Sequence, residues 1–285
     1  MNKVADGLGS MSMDIAGKVA IVTGAGSGIG RAVAEALAQR EIQAIALIDR
    51  TEAVDAFAAQ IDKTYGGTVA VTPMIGDVTD DAFRRSVFDR MTASWAVPRI
   101  CVPAAGMVHD QLAAKVDGET RKAVLYPVET FRRVLEVNLT APTYWALEMI
   151  GRIAEDRFAK KLKRWEPEEH IQGTVIFIGS VSSHGNRGQV AYAATKAGLE
   201  GVAATLTKEA MFHGVRCGVI HPGYTDTPMV RGLGEDYIRQ KVLPQTQLRR
   251  LIRTEEIADA ICFMISNSAV SGQLWADAGW HTPVA

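Results

Sequence analysis

Tyr192 and Lys196 stand four residues apart in Ala191-Tyr192-Ala193-Ala194-Thr195-Lys196-Ala197-Gly198, a spacing that puts a phenol and an ammonium on one face of a helix. A phenol ordinarily gives up its proton near pH ~10, and an ammonium held close favours the phenolate, so the pair suits proton transfer nearer neutral pH. The spacing alone also arises by chance on many helices. Ser180 adds weight to it, because it follows the apolar run from Thr174 to Ile178, and open α/β sheets present their ligands at the carboxyl edge of their strands. A second constellation lies near the start of the chain: Thr23-Gly24-Ala25-Gly26-Ser27-Gly28-Ile29-Gly30, between a β-branched run and a helical pattern that begins near Arg31. Glycine lets the backbone turn sharply and approach a pyrophosphate, while the first N–H groups and the dipole of the following helix favour negative charge. The spacing is GxxxGxG, unlike the GxGxxG of the common dinucleotide fingerprint.

The acid that would complete such a site is Asp49, in Ile48-Asp49-Arg50, at the end of a second strand and ~20 residues downstream of the turn. A carboxylate there accepts hydrogen bonds from a ribose 2′-hydroxyl and repels a 2′-phosphate, which favours NAD over NADP. Asp49 also suits a turn residue capping the next helix, and the Arg50 guanidinium could tolerate a 2′-phosphate. Asp77, with Val78 behind it, follows a third strand and suits either an adenine contact or a turn leading to Thr79, a candidate N-cap.

The elements that must position these residues alternate regularly. Strands are expected at Lys18 to Thr23, Ala44 to Ile48, Val69 to Ile75, Arg99 to Val102, Thr174 to Ile178, Val215 to Ile220 and Gln273 to Ala276. Helices are expected at Ile29 to Gln39, Val54 to Lys63, Asp80 to Met91, Val128 to Ala154, Val190 to Phe212 and Glu255 to Ser266, with alanine-rich apolar stripes. The alternation predicts a doubly wound, seven-stranded parallel sheet between two helical layers, a three-layer αβα Rossmann fold. One domain is expected from residue 18 to 285, after a flexible Gly/Ser/Met-containing leader, 1–17. Two stretches interrupt the rhythm: 109–126, and 157–172 with its basic run Lys160, Lys161, Lys163 and Arg164. A solvated face is the simpler reading of that run, a phosphate-binding patch the alternative.

Composition narrows the function classes. The 285 residues carry 31 Lys and Arg against 32 Asp and Glu, a formal net charge of −1, so no bulk field favours nucleic acid or an anionic membrane. No run approaches the ~20 apolar residues that a membrane span needs, and a cytoplasmic location is expected. Cys101, Cys217 and Cys262 lie far apart in apolar surroundings and read as buried thiols. The six histidines show no metal-ligand spacing such as HExxH, so no metal is expected.

Taken together, a glycine turn after strand one, an acid after strand two, a serine after strand five and Tyr-x-x-x-Lys opening the next helix resemble the short-chain dehydrogenase/reductase family. The resemblance spans almost the whole chain: Thr23 to Gly30 is similar to the family's TGxxxGxG, Tyr192 to Lys196 to its YxxxK, and Pro222-Gly223 opens a PGxxxT ending at Thr227. It implies an NAD(P)-dependent oxidoreductase interconverting a secondary alcohol and a ketone. Tyr192 would be the general acid/base, Ser180 would hydrogen-bond the substrate oxygen with Ser182 as the fallback, and Lys196 would lower the Tyr192 pKa and hold the nicotinamide ribose. Asn138 would organise a proton relay to the lysine. Gly24, Ser27, Gly28, Ile29, Gly30, Asp49, Arg50, Asp77, Val78, Ala104, Ala105, Gly106, Pro222, Gly223, Thr225 and Thr227 would line the cofactor, NAD in preference to NADP. The family's usual NNAG is here Pro103-Ala104-Ala105-Gly106, which implies altered bracing across the sheet. The first interruption implies that Leu112, Val116, Leu125 and Tyr126 line the substrate pocket.

Gly185-Asn186-Arg187-Gly188-Gln189 before Tyr192, and Lys196-Ala197-Gly198 within the helix, are similar to 3-oxoacyl-[acyl-carrier-protein] reductases. An NADPH-dependent enzyme of that kind is the alternative, and a non-catalytic NADH-binding regulator a minor one. The resemblance further implies a homo-oligomer, a tetramer, with Trp275 and Trp280 either in its interface or in the core. The partners expected are a small carbonyl or alcohol substrate and further copies of the chain.

Overall fold

Five consecutive apolar or β-branched residues, Val19–Thr23, are buried without alternation and form β1, as expected of a strand covered on both faces. The computed structural model describes residues 13–280. After β1 come α1 (Gly28–Ala38), β2 (Ala44–Asp49), α2 (Ala53–Tyr65), β3 (Ala70–Ile75), α3 (Asp81–Ser94) and β4 (Ile100–Pro103). A short antiparallel hairpin follows, β5 (Ala114–Val116) and β6 (Ala123–Leu125). The second half runs α4 (Val128–Leu135), α5 (Ala141–Ala159), β7 (Gly173–Ile178), α6 (Val190–Glu209), β8 (Val215–Pro222), the short α7 (Pro228–Arg231) and α8 (Glu235–Tyr237), α9 (Thr254–Ser266) and β9 (Gly272–Ala276).

Seven strands pair in the order β3-β2-β1-β4-β7-β8-β9, all parallel. The winding reverses between β1 and β4, and a crevice outside the carboxyl ends of two such strands is where open α/β sheets bind ligands. Apolar side chains of α1, α2 and α9 cover one face, and those of α3, α5 and α6, with Trp145 at the centre, cover the other. The expected seven-stranded αβα sheet is therefore present, and each expected strand matches to within two residues at either end.

Three expectations change. The stretch 109–126, expected only as an interruption of the rhythm, holds the β5/β6 hairpin. The single helix expected from Val128 to Ala154 is broken by a π turn, Glu136–Thr140. Pro142 lies in the first turn of α5 and has no N–H to return to the Asn138 carbonyl four residues before, so the α pattern cannot run through. The leader boundary also moves: Met13 and Ile15 are buried, the Thr174 hydroxyl donates to the Met13 sulfur at 3.3 Å, and Gly17 N–H reaches Glu41 O. Residues 13–17 thus pack on the domain, while 1–12 of the expected leader lie outside the described residues.

Past Ala159 the basic side chains Lys160, Lys161, Lys163 and Arg164 are exposed, on a turn anchored by the buried Arg157, which donates to both Glu169 carboxylate oxygens and to Lys163 O. The three cysteines are free and buried, and burial pushes the Cys262 and Cys217 thiols up to about 11 and about 12. Among the described residues no helix is long and apolar enough to cross a membrane.

Candidate active site

The crevice at the β1/β4 switch holds a cavity of about 410 Å³, walled by the glycine turn, Asp49 to Thr51, Gly76 to Val78, Ala104 to Met107 and the inner face of α6. Its floor follows from the glycines. Gly24 has φ +66°, and a Cβ on it would stand 2.8 Å from the Ala105 backbone. Gly30 opens α1 against the turn itself, where a Cβ would meet Gly24 O. Ser27 is the N-cap in extended conformation, but its side chain caps nothing. The first N–H groups of α1, on Gly28, Ile29 and Gly30, therefore have neither an intrahelical partner nor a side-chain cap. They lie in the cavity wall as an anion site of the kind the sequence predicts.

Asp49 ends β2 at the far end of this cavity. Its Oδ2 accepts from Gly26 N–H at 3.1 Å, and its Oδ1 accepts from Thr51 N–H at 3.2 Å and from the Thr51 hydroxyl at 3.1 Å. The carboxylate does not cap α2, whose N-cap is Glu52. Arg50 is exposed on the same wall and makes no hydrogen bond or ion pair with the described residues. Gly26 is the residue that the sequence reading missed: a Cβ there would stand 2.9 Å from Asp49 Oδ2, so its glycine fixes how closely turn and acid approach. The signal was present in the motif itself, as the one glycine of Thr23 to Gly30 given no role.

Asp77 shapes a turn: Oδ1 accepts from Thr79 N–H and the Thr79 hydroxyl, and Arg133 reaches Oδ2 at 3.1 Å. These bonds hold its carboxyl down at about 2. Thr79 is not the cap of the next helix; Asp80 is, accepting from Ala82 N–H and Phe83 N–H. Val78 is fixed beside it by its carbonyl, which accepts from Trp145 Nε1 at 2.9 Å.

Across the switch, the bracing that Pro103-Ala104-Ala105-Gly106 lacks in side chains comes from β1. The Thr23 hydroxyl accepts from Ala105 N–H at 3.1 Å. Asn138, in the π turn and almost fully buried, grips the next residue from both sides, accepting from Met107 N–H at 2.9 Å and donating to Met107 O at 2.7 Å.

Tyr192, Lys196 and Ser180 converge where the large cavity meets a second one of about 210 Å³. Tyr192 lines both, Lys196 the first, and Ser180 and Ser182 the second. The Ser180 hydroxyl accepts from Ser182 N–H at 3.1 Å, which anchors its oxygen just past the end of β7. Lys196 is buried, and its Nζ donates to Ile178 O at 2.7 Å and lies 5.3 Å from the Tyr192 ring centroid. Burial lowers its pKa to about 8. The expected lowering of the Tyr192 pKa by the lysine is not what these positions produce. Burial pushes the phenol up, the Ser180 hydroxyl pulls it down, and the Asp110 carboxylate raises it further. The ammonium is aimed at a carbonyl on β7 instead of at the phenol oxygen.

The roof comes from the segment after β8. Gly223 lies so close to Asp277 that a Cβ would stand 2.7 Å from its carbonyl oxygen. The Thr225 hydroxyl donates to Gly223 O at 3.0 Å, and Thr227 caps α7 by accepting from Val230 N–H at 3.3 Å. Pro222, Gly223, Thr225 and Thr227 all line the second cavity, whose far wall is Tyr224, Met229, Leu233, Tyr237 and Trp280. Leu112, Val116, Leu125 and Tyr126 do not line it. The hairpin carries Val116 and Leu125 into solvent at 71% and 66% exposure, and Val108 and Asp110 from the preceding loop take their place. Trp280 is part of the site, stacked edge-on against Tyr224, and Trp275 stacks on His221.

The comparisons with known proteins agree with this geometry. The family model described as enoyl-(acyl carrier protein) reductase matches residues 24–281. A 3-oxoacyl-[acyl-carrier-protein] reductase of Escherichia coli (strain K12) is 33% identical over 258 residues, 90% of this chain and 93% of that protein. A cis-4-hydroxycyclohexanecarboxylate dehydrogenase of Sinomonas cyclohexanicum is 29% identical over 96% of this chain and 100% of that one. Among solved structures, a short-chain type dehydrogenase/reductase from Mycobacterium marinum superposes with a TM-score of 0.80 at 27% identity, covering 95% of this chain and 98% of that one. The chain belongs to the short-chain dehydrogenase/reductase family and is an oxidoreductase acting on CH–OH and keto groups. The family uses NAD(P), and the cavity fits such a dinucleotide: uncapped N–H groups opening α1, a turn that packs closely because Gly24 and Gly30 lack a Cβ, and a carboxylate at the far end.

Proposed function

We propose that the protein interconverts a secondary alcohol and a ketone on a compact, largely apolar body, using NAD(H). The observation that carries this reading is the convergence of Tyr192, Ser180 and Lys196 at the junction of two cavities, one shaped for a dinucleotide and one of about 210 Å³ with apolar and aromatic walls. The N–H groups opening α1 would hold the pyrophosphate, Asp49 the adenosine ribose hydroxyls, Lys196 the nicotinamide ribose, and Thr225 and Thr227 the carboxamide. When bound, the dinucleotide supplies or takes up the hydride. The protein's own part is to manage the proton and the orientation. Tyr192 gives its phenol proton to the carbonyl oxygen in reduction and takes it back in oxidation. Ser180 donates a hydrogen bond to that same oxygen and steadies the charge developing there. Lys196, its amine lowered by burial to about 8, would restore the proton, and Asn138 would help organise the relay to it. The preference for NAD rests on Asp49, whose carboxylate is held in the wall by Gly26 and Thr51 and would repel a 2′-phosphate.

The test is Tyr192→Phe assayed with a panel of secondary alcohols and NAD. Turnover falls by roughly 10²–10⁴, the usual contribution of general acid/base catalysis, while dinucleotide binding and melting temperature stay as in the unaltered protein. A variant that kept most of its rate would overturn the assignment. A second reading, reduction of a 3-oxoacyl thioester with NADPH, is favoured by the 33% identical Escherichia coli relative and by the unpaired Arg50. Paired titration with NADH and NADPH separates the two. NADH binding at least tenfold tighter, about 1.4 kcal/mol, supports the first reading, and tighter NADPH binding the second.

A further inference from the structure

His221 is fully buried on β8 in direct register with Trp275 on β9, the two rings stacked at 4.1 Å and 13°. No step in the mechanism uses it. Its Nδ1 lies 3.3 Å from Ser180 N and 3.1 Å from Ser180 O. Among the described residues its Nε2 has no hydrogen-bond partner and faces Glu200 Oε1 at 3.8 Å, an oxygen that is itself buried without a partner among them. Space for the ring is made by Gly179, since a Cβ on that residue would stand 2.6 Å from His221 Nδ1.

Hydrogen-bond accounting assigns the tautomer. Ser180 O already accepts from Ser183 N–H at 3.0 Å. Ser180 N–H, on a buried residue, has His221 Nδ1 as its acceptor among the described residues, and a buried N–H without one is costly. An unprotonated Nδ1 places the ring proton on Nε2, where it points at the Glu200 carboxylate. The opposite tautomer would leave Ser180 N–H facing another N–H and set two lone pairs, on Nε2 and Glu200 Oε1, against each other.

We propose that His221 is a positioning residue for Ser180: as the Nε2–H tautomer, steered by Glu200 and clamped by Trp275, it accepts the Ser180 N–H and so fixes the hydroxyl that meets the substrate oxygen. This rests on the reading of Ser180 given above. The groups facing the ring are Glu200 from α6, Gln273 and Trp275 from β9, and His184 and Ser180 from the turn after β7. Burial holds the imidazole below its ordinary 6.5. Protonation in acid would turn Nδ1 into a donor, expel the Ser180 N–H and remove activity without affecting the dinucleotide.

Two measurements on the full-length protein test this. A long-range ¹H–¹⁵N spectrum of the histidine rings, with His221 assigned by its loss in His221→Asn, is expected to show the neutral Nε2–H form at pH 7. A neutral Nδ1–H form or an imidazolium would overturn the proposal, whether or not any substrate is turned over. Kinetically, His221→Asn places an amide oxygen near Nδ1 and is expected to keep kcat within about threefold, while His221→Leu loses roughly tenfold or more, the cost of one buried hydrogen bond. KM and Kd for the dinucleotide stay unchanged in both. In His221→Asn the acidic fall in kcat below pH 6.5 is expected to disappear. Equal rates for Asn and Leu, or an acid limb that survives in His221→Asn, would refute the role. If His221→Leu fails to fold, the spectrum and the His221→Asn pH profile decide. If the unaltered protein turns over no alcohol or ketone while the ring shows Nε2–H, the proposed function fails and the placement of Ser180 stands.

Discussion

Replacing Gly26 by alanine should shift cofactor choice by displacing the Asp49 carboxylate while keeping its charge. The backbone at Gly26 is not left-handed, so alanine is conformationally accepted there, and the consequence lies in the added methyl. It would stand 2.9 Å from Asp49 Oδ2, 3.0 Å from Asp49 Cγ and 3.3 Å from the Ala53 Cβ. The Thr51 bonds at 3.2 and 3.1 Å hold Oδ1, so the carboxylate must swing about that oxygen and give up its bond from Gly26 N–H at 3.1 Å. A hydrogen bond to a charged group is worth about 1.5–3 kcal/mol when buried. Asp49 is half-buried, which reduces the loss to about 1–1.5 kcal/mol, roughly tenfold in affinity. NADH binding should weaken by that factor while NADPH binding changes less, because displacing the carboxylate also relieves repulsion of a 2′-phosphate. Asp49→Asn removes the charge directly and should narrow the NADH/NADPH ratio further. The two changes act on one contact, so the double variant should fall short of the summed effects by about 0.5–1 kcal/mol. Fluorescence titrations of the four proteins with both dinucleotides measure the cycle, with Trp280 in the neighbouring cavity as reporter. Strict additivity, or Gly26→Ala binding both dinucleotides as the unaltered protein does, would refute the role assigned to the Gly26–Asp49 contact.

Three further outcomes follow from groups held under strain of burial or bonding. Lys196→Met should abolish turnover yet raise stability at pH 7. Below pH 8 the ammonium is charged in folded and unfolded chains alike, and the folded chain carries the burial penalty. Between about 8 and 10.5 the unfolded chain keeps a proton that the folded one has released, so stability of the unaltered protein rises with pH across that window. That interval is worth about 3 kcal/mol, less about 1 kcal/mol for the lost bond to Ile178 O. The variant should therefore gain about 2 kcal/mol at pH 7, a gain that vanishes at pH ~9.5 and becomes a loss of about 1 kcal/mol near pH 10.5, and denaturant melts at pH 7 and near pH 10.5 check it. Thr23→Val leaves Ala105 N–H without its acceptor and should cost about 1–3 kcal/mol, read as a lower melting temperature. Asn138→Leu strips both bonds from the Met107 backbone. It should lower kcat and stability together, by contrast with Tyr192→Phe, which lowers kcat alone.

The sheet was legible because its five inner strands are buried on both faces and read as apolar or β-branched runs, and the half-exposed edge strands β3 and β9 are still short runs set between turns. The helical break at Glu136–Thr140 was legible in principle. Pro142 stands four residues after Asn138, and a proline in that position withdraws the partner of the Asn138 carbonyl; periodicity alone joined the two segments. The β5/β6 hairpin escaped because its two strands are three residues each and exposed throughout, so no burial pattern marks them. Leu112, Val116, Leu125 and Tyr126 were assigned to the pocket from where the resembling family admits its substrates, and the exposure of Val116 and Leu125 together with the cavity's lining shows that they lie outside it.

The site divides along a similar line. Asp49 and Ser180 were singled out because the edge of a parallel sheet fixes where its strands stop, and Pro222 through the PGxxxT resemblance; all three line the cavities at that edge. The direction of a long side chain was not found. Lys196 shares a helix face with Tyr192 as the four-residue spacing requires, yet its Nζ ends on Ile178 O, because a buried ammonium needs an acceptor and the carbonyl at the end of β7 offers one. His221 was hidden for a different reason. Its importance comes from a strand neighbour, a missing Cβ on Gly179 and a carboxylate on α6, three elements separated in the chain and brought together by the β7–β8–β9 register. In one sequence without that register, a histidine before Pro-Gly carries no signal. Side chains that act through the sheet edge can thus be named from spacing, whereas those that act across it need the pairing of strands before their chemistry is visible.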